Sequence, residues 1–211
     1  MAERQAALAG RSSTTGSDAT ARIVAEVRAL YDAHYPVKES GVFTEYDWNR
    51  CVAALAHIRG PRVLDVGVGP GQMFNVLARD RSVEDLVGID IRWNKKLLRP
   101  DRGRLELMDI LDLQFEDASF DTVCCMEVLE HLEPIDFHKA LAELRRVVSH
   151  TLVMTVPFEE PEPLWHHDLP GGHRQRFTQE TIDRVFPRAD RQFISRGRGK
   201  VPWIMLVEHR R

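Results

Sequence analysis

Two stretches of this chain carry side chains whose types and spacing can do chemistry. The first is Glu127-Val128-Leu129-Glu130-His131. On a helical backbone its two carboxylates and its imidazole stand at i, i+3 and i+4 and share one face. That grouping is half of a divalent-cation site, or equally a set of structural hydrogen-bonding groups. The second stretch is a loop through Trp165-His166-His167-Asp168 and on to Gly171-Gly172-His173-Arg174-Gln175-Arg176-Phe177-Thr178. A neutral imidazole there can take a proton from a bound hydroxyl, and His167, then His166, are the candidate bases. Either histidine can also do no more than hydrogen-bond within its own loop.

Those groups need a reagent, and a third stretch can hold one. Val63-Leu64-Asp65-Val66 is a short apolar run ending around an acid, followed by Gly67, Gly69 and Gly71 and then by Gln72. Helical spacing resumes at Phe74, Leu77 and Ala78. A buried strand, a tight loop and a helix start open a nucleotide-binding α/β unit. Glycines let the backbone turn sharply and come close to a ligand. The helix N-terminus offers free N–H groups and a positive dipole end. Asp90 lies about 20 residues further on, where an acid can bind ribose hydroxyls of a dinucleotide or of another nucleoside. A pyrophosphate favours G-x-G-x-x-G, whereas the spacing here is G-x-G-x-G with Asp65 beside it. An acid there is an awkward neighbour for phosphate and suits a cationic or amine-bearing ligand. A nicotinamide-dependent oxidoreductase stays open as the competing reading.

The elements that must position these groups follow in regular alternation. Met1 to about Thr20 is rich in Ala, Ser, Thr, Gly and Arg without periodicity and reads as a disordered tail. Residues 21 to 211 then form one domain. A first amphipathic helix carries Ile23, Val24, Val27, Leu30 and Tyr31, and a polar link from His34 to Thr44 leads to a second through Trp48, Cys51, Val52, Leu55 and Ile58. Gly60-Pro61 stops it. Strands are expected at 63–66, 86–90, 104–109, 120–126, 151–156, 192–195 and 203–207. Phe137, Ala140, Leu141, Leu144, Val147 and Val148 mark a long helix, and Thr178 stands as the N-cap of another carrying Ile182, Val185 and Phe186. Strands alternating with helices imply a Rossmann-like, doubly wound, mostly parallel sheet preceded by N-terminal helices.

Val63 to Gln72, Val87 to Asp90, Leu107 to Asp109 and Phe120 to Leu132 together resemble the motif series of class I S-adenosylmethionine-dependent methyltransferases. The resemblance spans roughly residues 60 to 190, and the combination is far more specific than any one motif. It implies a seven-stranded sheet whose last strand is antiparallel. It also implies a cofactor site in which Asp65, Gly67, Gly69, Gly71 and Gln72 hold the methionine portion and Asp90 with Ile91 holds the ribose. Asp109 and Ile110 would border the adenine, with Met126 at the end of the fourth strand. Glu127-x-x-Glu130-His131 followed by a His just before an aromatic-Thr helix start is similar to the small-RNA 3′-end 2′-O-methyltransferases. Ubiquinone-pathway O-methyltransferases share the first half of that pattern. By the resemblance, Glu127, Glu130, His131 and His173 would coordinate a magnesium- or manganese-type ion, and Glu127 would stand among the catalytic groups with His166 and His167.

The acceptor is read from the loop and from composition. Trp165 beside paired histidines and Asp168 suits a saccharide or similar small polyol: an indole covers ring C–H faces while polar groups take hydroxyls. A quinol or phenol would want a long apolar entrance, and the loop from Pro157 to Phe177 is polar. A net charge of −3 argues against a protein built to grip nucleic-acid backbones. Arg174, Arg176, Arg196, Arg198 and Lys200 could still form a local basic patch for an RNA 3′ end. Three cysteines, Cys51, Cys124 and Cys125, make no disulfide framework and read as reduced core residues. No apolar run approaches the roughly 20 residues that span a bilayer, and the N-terminus lacks a secretory h-region. The expectation is a cytoplasmic enzyme, with a homodimer left open and a non-catalytic S-adenosylmethionine-binding subunit as the reading from another class.

Overall fold

The computed structural model describes residues 14–35 and 44–210. Seven strands form one sheet: β1 (Arg62–Val66), β2 (Asp85–Asp90), β3 (Arg104–Leu107), β4 (Phe120–Met126), β5 (Val148–Pro157), β6 (Asp190–Ile194) and β7 (Trp203–His209). Their order is β3-β2-β1-β4-β5-β7-β6. The pairs from β3 through β5 are parallel, and β7 runs antiparallel to both β5 and β6. The expected seven-stranded sheet with a reversed last strand is the sheet observed.

The inner strands are apolar on both faces because each face is covered. On one side Val63, Cys124, Val153, Met205 and Val207 pack under helices α1 (Thr14–His34), α2 (Glu45–Leu55) and α3 (Gln72–Arg79). On the other, Leu64, Val123, Cys125, Leu152, Met154 and Leu206 pack under α4 (Pro134–Val147) and α5 (Gln179–Val185). The strand periodicity of two sorts neighbouring residues into these two layers. All three cysteines are buried and unpaired, as expected.

Several boundaries differ from the sequence reading. The first helix begins at Thr14, so residues 14–20 are helical rather than part of a tail, and residues 1–13 lie outside those described. The link between the first two helices lies largely in 36–43, also outside the described residues. Thr44 starts α2 with a capping box, its N–H donating to Asp47 Oδ2 at 2.8 Å. The third strand stops at Leu107, so Asp109 stands in the loop beyond it. Thr178 caps α5 as expected, its hydroxyl accepting from Thr181 N–H at 3.2 Å. Among the described residues no helix is long and apolar enough to cross a membrane.

The chain builds outward from β1 through β2 to β3, then returns to lay β4 on the other side of β1. Open α/β sheets bind ligands at such a reversal, in the crevice beyond the strand C-termini. The glycine loop leaves β1 there, and Glu127 leaves β4 there.

Candidate active site

The glycine loop is held from three sides. Gly67 and Val68 N–H both donate to Ile89 O, at 2.8 and 3.1 Å, tying the loop to β2. Gly67 has φ 74°, and a Cβ on it would come within 2.2 Å of Val128 Cγ2, so only glycine fits against the chain leaving β4. Asp90 closes the far side: its Oδ2 accepts from Gly69 N–H at 2.8 Å and its Oδ1 from Arg92 N–H at 3.1 Å. From beneath, Tyr31 Oη donates to Pro70 O at 2.7 Å, and Asn75 Nδ2 donates to Gly71 O at 2.9 Å and to Leu98 O at 2.7 Å. Gly71, at φ 90°, is the N-cap of α3.

Above this loop opens a cavity of about 490 Å³, lined by Gly67, Gly69, Asp90, Ile91, Asp109 and Ile110 among others. Asp65 lies below it, 3% exposed, and its Oδ2 has no hydrogen-bond donor among the described residues. Burial pushes the Asp65 carboxyl up to about 7; the charge of Asp90 adds to this and Arg50 opposes it. A buried carboxylate lacking a donor is what an ammonium-bearing ligand would satisfy.

A second cavity of about 480 Å³ adjoins the first, and Glu127 and His131 line both. Its walls include Arg50, Glu130, Glu160, Trp165, His173 and Trp203. Ligand atoms of Glu130, His131 and His173 converge within 4.8 Å of one another. The His173 Nδ1 lies 2.5 Å from Glu160 Oε2, and His131 Nδ1 lies 3.3 Å from Gly172 O. With Nδ1–H donated in each case, both rings leave Nε2 free as a lone-pair donor. Glu130 is 1% exposed, and neither carboxylate oxygen has a hydrogen-bond donor among the described residues. Burial, then the charge of Glu127, raises its carboxyl well above the usual range, and burial lowers His131. Two imidazoles and an orphaned carboxylate are a donor set that fits a divalent cation.

The family profile described as a methyltransferase domain matches residues 64–151. Over 121 residues the chain is 35% identical to a ubiquinone biosynthesis O-methyltransferase of Ralstonia nicotianae, covering 52% of this chain and 48% of that protein. Over 158 residues it is 30% identical to a fatty-acid O-methyltransferase of Mycolicibacterium smegmatis, covering 70% of this chain and 57% of that one. The chain thus spans about half the length of the curated relatives it matches. Its fold is shared with a Burkholderia thailandensis N1-methyltransferase of 1,6-didemethyltoxoflavin, solved with that compound and S-adenosylhomocysteine: TM-score 0.60, 16% identity, covering 92% of this chain and 90% of that one.

Most of the expected cofactor residues meet at the first cavity and some do not. Gln72 lines the second cavity instead, and Met126 ends β4 with 9% exposure. Glu127 is a correction. It sits at φ 59°, before a single 3-10 turn (Leu129–His131), so it does not share the helical face of Glu130 and His131. It falls outside the converging group of Glu130, His131 and His173. Its Oε2 accepts instead from Trp203 Nε1, and its Oε1 lies 3.5 Å from Arg50 Nη1. His166 and His167 are a second correction: both are exposed and line neither cavity. His167 Nδ1 faces Leu164 O at 3.3 Å within its own loop. Asp168 is exposed as well. Sequence reasoning missed Glu160, Arg50, Trp203 and Tyr31, whose roles arise only when distant segments meet.

Proposed function

We propose that this protein is an S-adenosylmethionine-dependent O-methyltransferase acting, with a divalent cation, on a hydroxyl of a small polar acceptor of the saccharide or polyol class. The observation that carries the reading is the pair of cavities at the sheet's reversal point, sharing Glu127 and His131. The first suits the cofactor and the second the acceptor. When bound, S-adenosylmethionine supplies an electrophilic methyl group on a sulfonium. Asp65 would hold the ammonium, and Asp90 would take the ribose hydroxyls. Asp109 and Ile110 would border the base.

Glu130, His131 and His173 would hold a magnesium- or manganese-type ion, which lowers the pKa of a bound hydroxyl and fixes its oxygen. The acceptor oxygen must present a lone pair about 3 Å from the methyl carbon, in line with the breaking bond. Glu127 faces both cavities, and its Oε1 has no hydrogen-bond donor among the described residues. It is therefore placed to receive the hydroxyl proton, the role expected of His167 or His166. Trp165, 53% exposed on the acceptor side, offers an indole face to a sugar ring. Arg50, Glu160, Arg196 and Lys200 bring charge into that cavity, which supports a polar acceptor. Both curated relatives named above carry out O-methylation by their names, which supports oxygen as the methylated atom.

Transfer of labelled methyl groups to a panel of sugars and polyols, with and without magnesium, manganese and chelator, tests the reaction. Activity indifferent to chelator removes the metal from the reading. Calorimetry with S-adenosylhomocysteine and NAD separates the enzyme classes, since tight NAD binding without affinity for S-adenosylhomocysteine would make it an oxidoreductase. Cofactor binding with no transfer to any acceptor would point to a non-catalytic subunit.

A further inference from the structure

We propose that the acceptor carries an anionic group, a carboxylate or a phosphate ester, bound by Arg196 and Lys200 at the Trp203 end of the acceptor cavity. This rests on the methyltransferase reading above and adds the charge of the substrate to it.

Three of the four acids of that cavity have partners, and the fourth, Glu130, stands in the converging group with His131 and His173. Glu160 holds His173 at 2.5 Å, and Glu127 holds Trp203 Nε1 and faces Arg50 at 3.5 Å. Asp47 accepts from Thr44 in the helix cap at 2.8 Å. Arg196 and Lys200 line the same cavity, and neither has a carboxylate within ion-pair distance among the described residues. The Arg50 and Arg196 guanidiniums lie 4.4 and 4.8 Å from the centroid of the one Trp203 ring. Two like charges against one indole stand within about a Debye length of each other, roughly 10 Å, and the single carboxylate that both act on, Glu127, balances only one of them. The Arg50 Nε and Nη1 are enclosed and lack hydrogen-bond acceptors among the described residues.

The loop bearing the two cations is shaped rather than loose. Gly197 and Gly199 take φ 99° and 75°, and Lys200 N–H donates to Gly197 O at 3.3 Å, a tight turn between two residues that line the cavity. A Cβ on Gly197 would meet the Tyr46 ring at 2.9 Å, so this turn is seated directly on α2. Glu130 and His173 line the same cavity, so an anionic group held here would let a hydroxyl of the same molecule reach them. A guanidinium and an ammonium lining one cavity can bind carboxylate or phosphate through charge-assisted hydrogen bonds.

The test titrates D-glucose, D-glucuronate and D-glucose 6-phosphate into the protein saturated with S-adenosylhomocysteine and magnesium, by calorimetry. The same series is run on the double variant R196Q/K200Q. The expected result is at least one anionic sugar binding tenfold or more tighter than glucose. The double variant should lose that preference while keeping its affinity for S-adenosylhomocysteine. Preference for glucuronate alone identifies a carboxylate, and for the phosphate ester alone a phosphate. The proposal is overturned if neither anion binds better than glucose, or if the preference survives in the double variant. Loss of S-adenosylhomocysteine binding by the unaltered protein would instead sink the methyltransferase reading, so the two failures are distinct.

Discussion

Glu160 Oε2 accepts from His173 Nδ1 at 2.5 Å, an oriented contact between two nearly buried side chains in the loop after β5. It turns the imidazole so that Nε2 is the nitrogen left to face Glu130 and His131. A carboxylate behind a ligating histidine fixes its tautomer and raises its basicity.

Glu160→Gln should therefore weaken manganese binding by about 10- to 100-fold, with S-adenosylhomocysteine affinity unchanged. His173→Ala should abolish metal binding at the same concentrations. Titration of manganese followed by electron paramagnetic resonance checks both, and an unaltered affinity in both variants would remove the metal centre.

Only part of this centre is legible in the sequence. Glu130 and His131 announce themselves by spacing, and the glycine loop with Asp65 and Asp90 by pattern. Glu160 sits among Glu159 and Glu162 in a proline-rich loop, where nothing marks one acid over the next. His166 and His167 looked equally well placed by composition, yet the turn at His166 (φ 48°) leaves both exposed. The helical-face argument failed at Glu127 because it assumes helical dihedrals, and this residue's φ is positive. The alternation of strands and helices survived well, since the two buried layers impose it on the sequence. The ends of elements survived less well, as at Thr14 and Leu107, where hydrogen bonding rather than hydrophobicity decides the boundary.

Gly67→Ala should prove costly. The added methyl would press on Val128 Cγ2 at 2.2 Å, and φ 74° is strained for alanine. A loss of about 1–3 kcal/mol in unfolding free energy is expected, together with a loss of S-adenosylhomocysteine affinity of more than about tenfold, equal to roughly 1.4 kcal/mol. Chemical denaturation and calorimetry measure the two effects separately.

Cofactor affinity should depend on pH through Asp65. Its carboxyl is pushed up to about 7, by burial first and by Asp90 second, whereas an ammonium partner needs the ionised form. Affinity for S-adenosylhomocysteine should then fall about tenfold from about pH 8 to about pH 6, because protonation of Asp65 competes with binding. Asp65→Asn should bind weakly at both values and show a flat profile.

Acid stability should depend on Asp121, on β4, which is paired with Arg62 at the start of β1. The Arg62 guanidinium at 2.6 Å holds this carboxyl at about 2, against an ordinary value of 3.8. A depressed folded value means the pair stabilises the fold above about pH 4, and that this contribution fades as pH falls through 2. Solvent around the half-exposed Arg62 screens the pair and keeps this contribution modest. Urea unfolding at about pH 6 and about pH 2.5 should show Asp121→Asn less stable than the unaltered protein at the higher pH and closer to it at the lower.

The two cavities share two side chains, Glu127 and His131. Because Glu127 belongs to both walls and is tethered to Trp203 and Arg50, any ligand that shifts it on one side alters the shape offered on the other. Occupancy of the two chambers is then energetically linked, and by reciprocity each ligand changes the other's affinity by the same factor. Such linkage would make the order in which the two ligands bind depend on this shared wall.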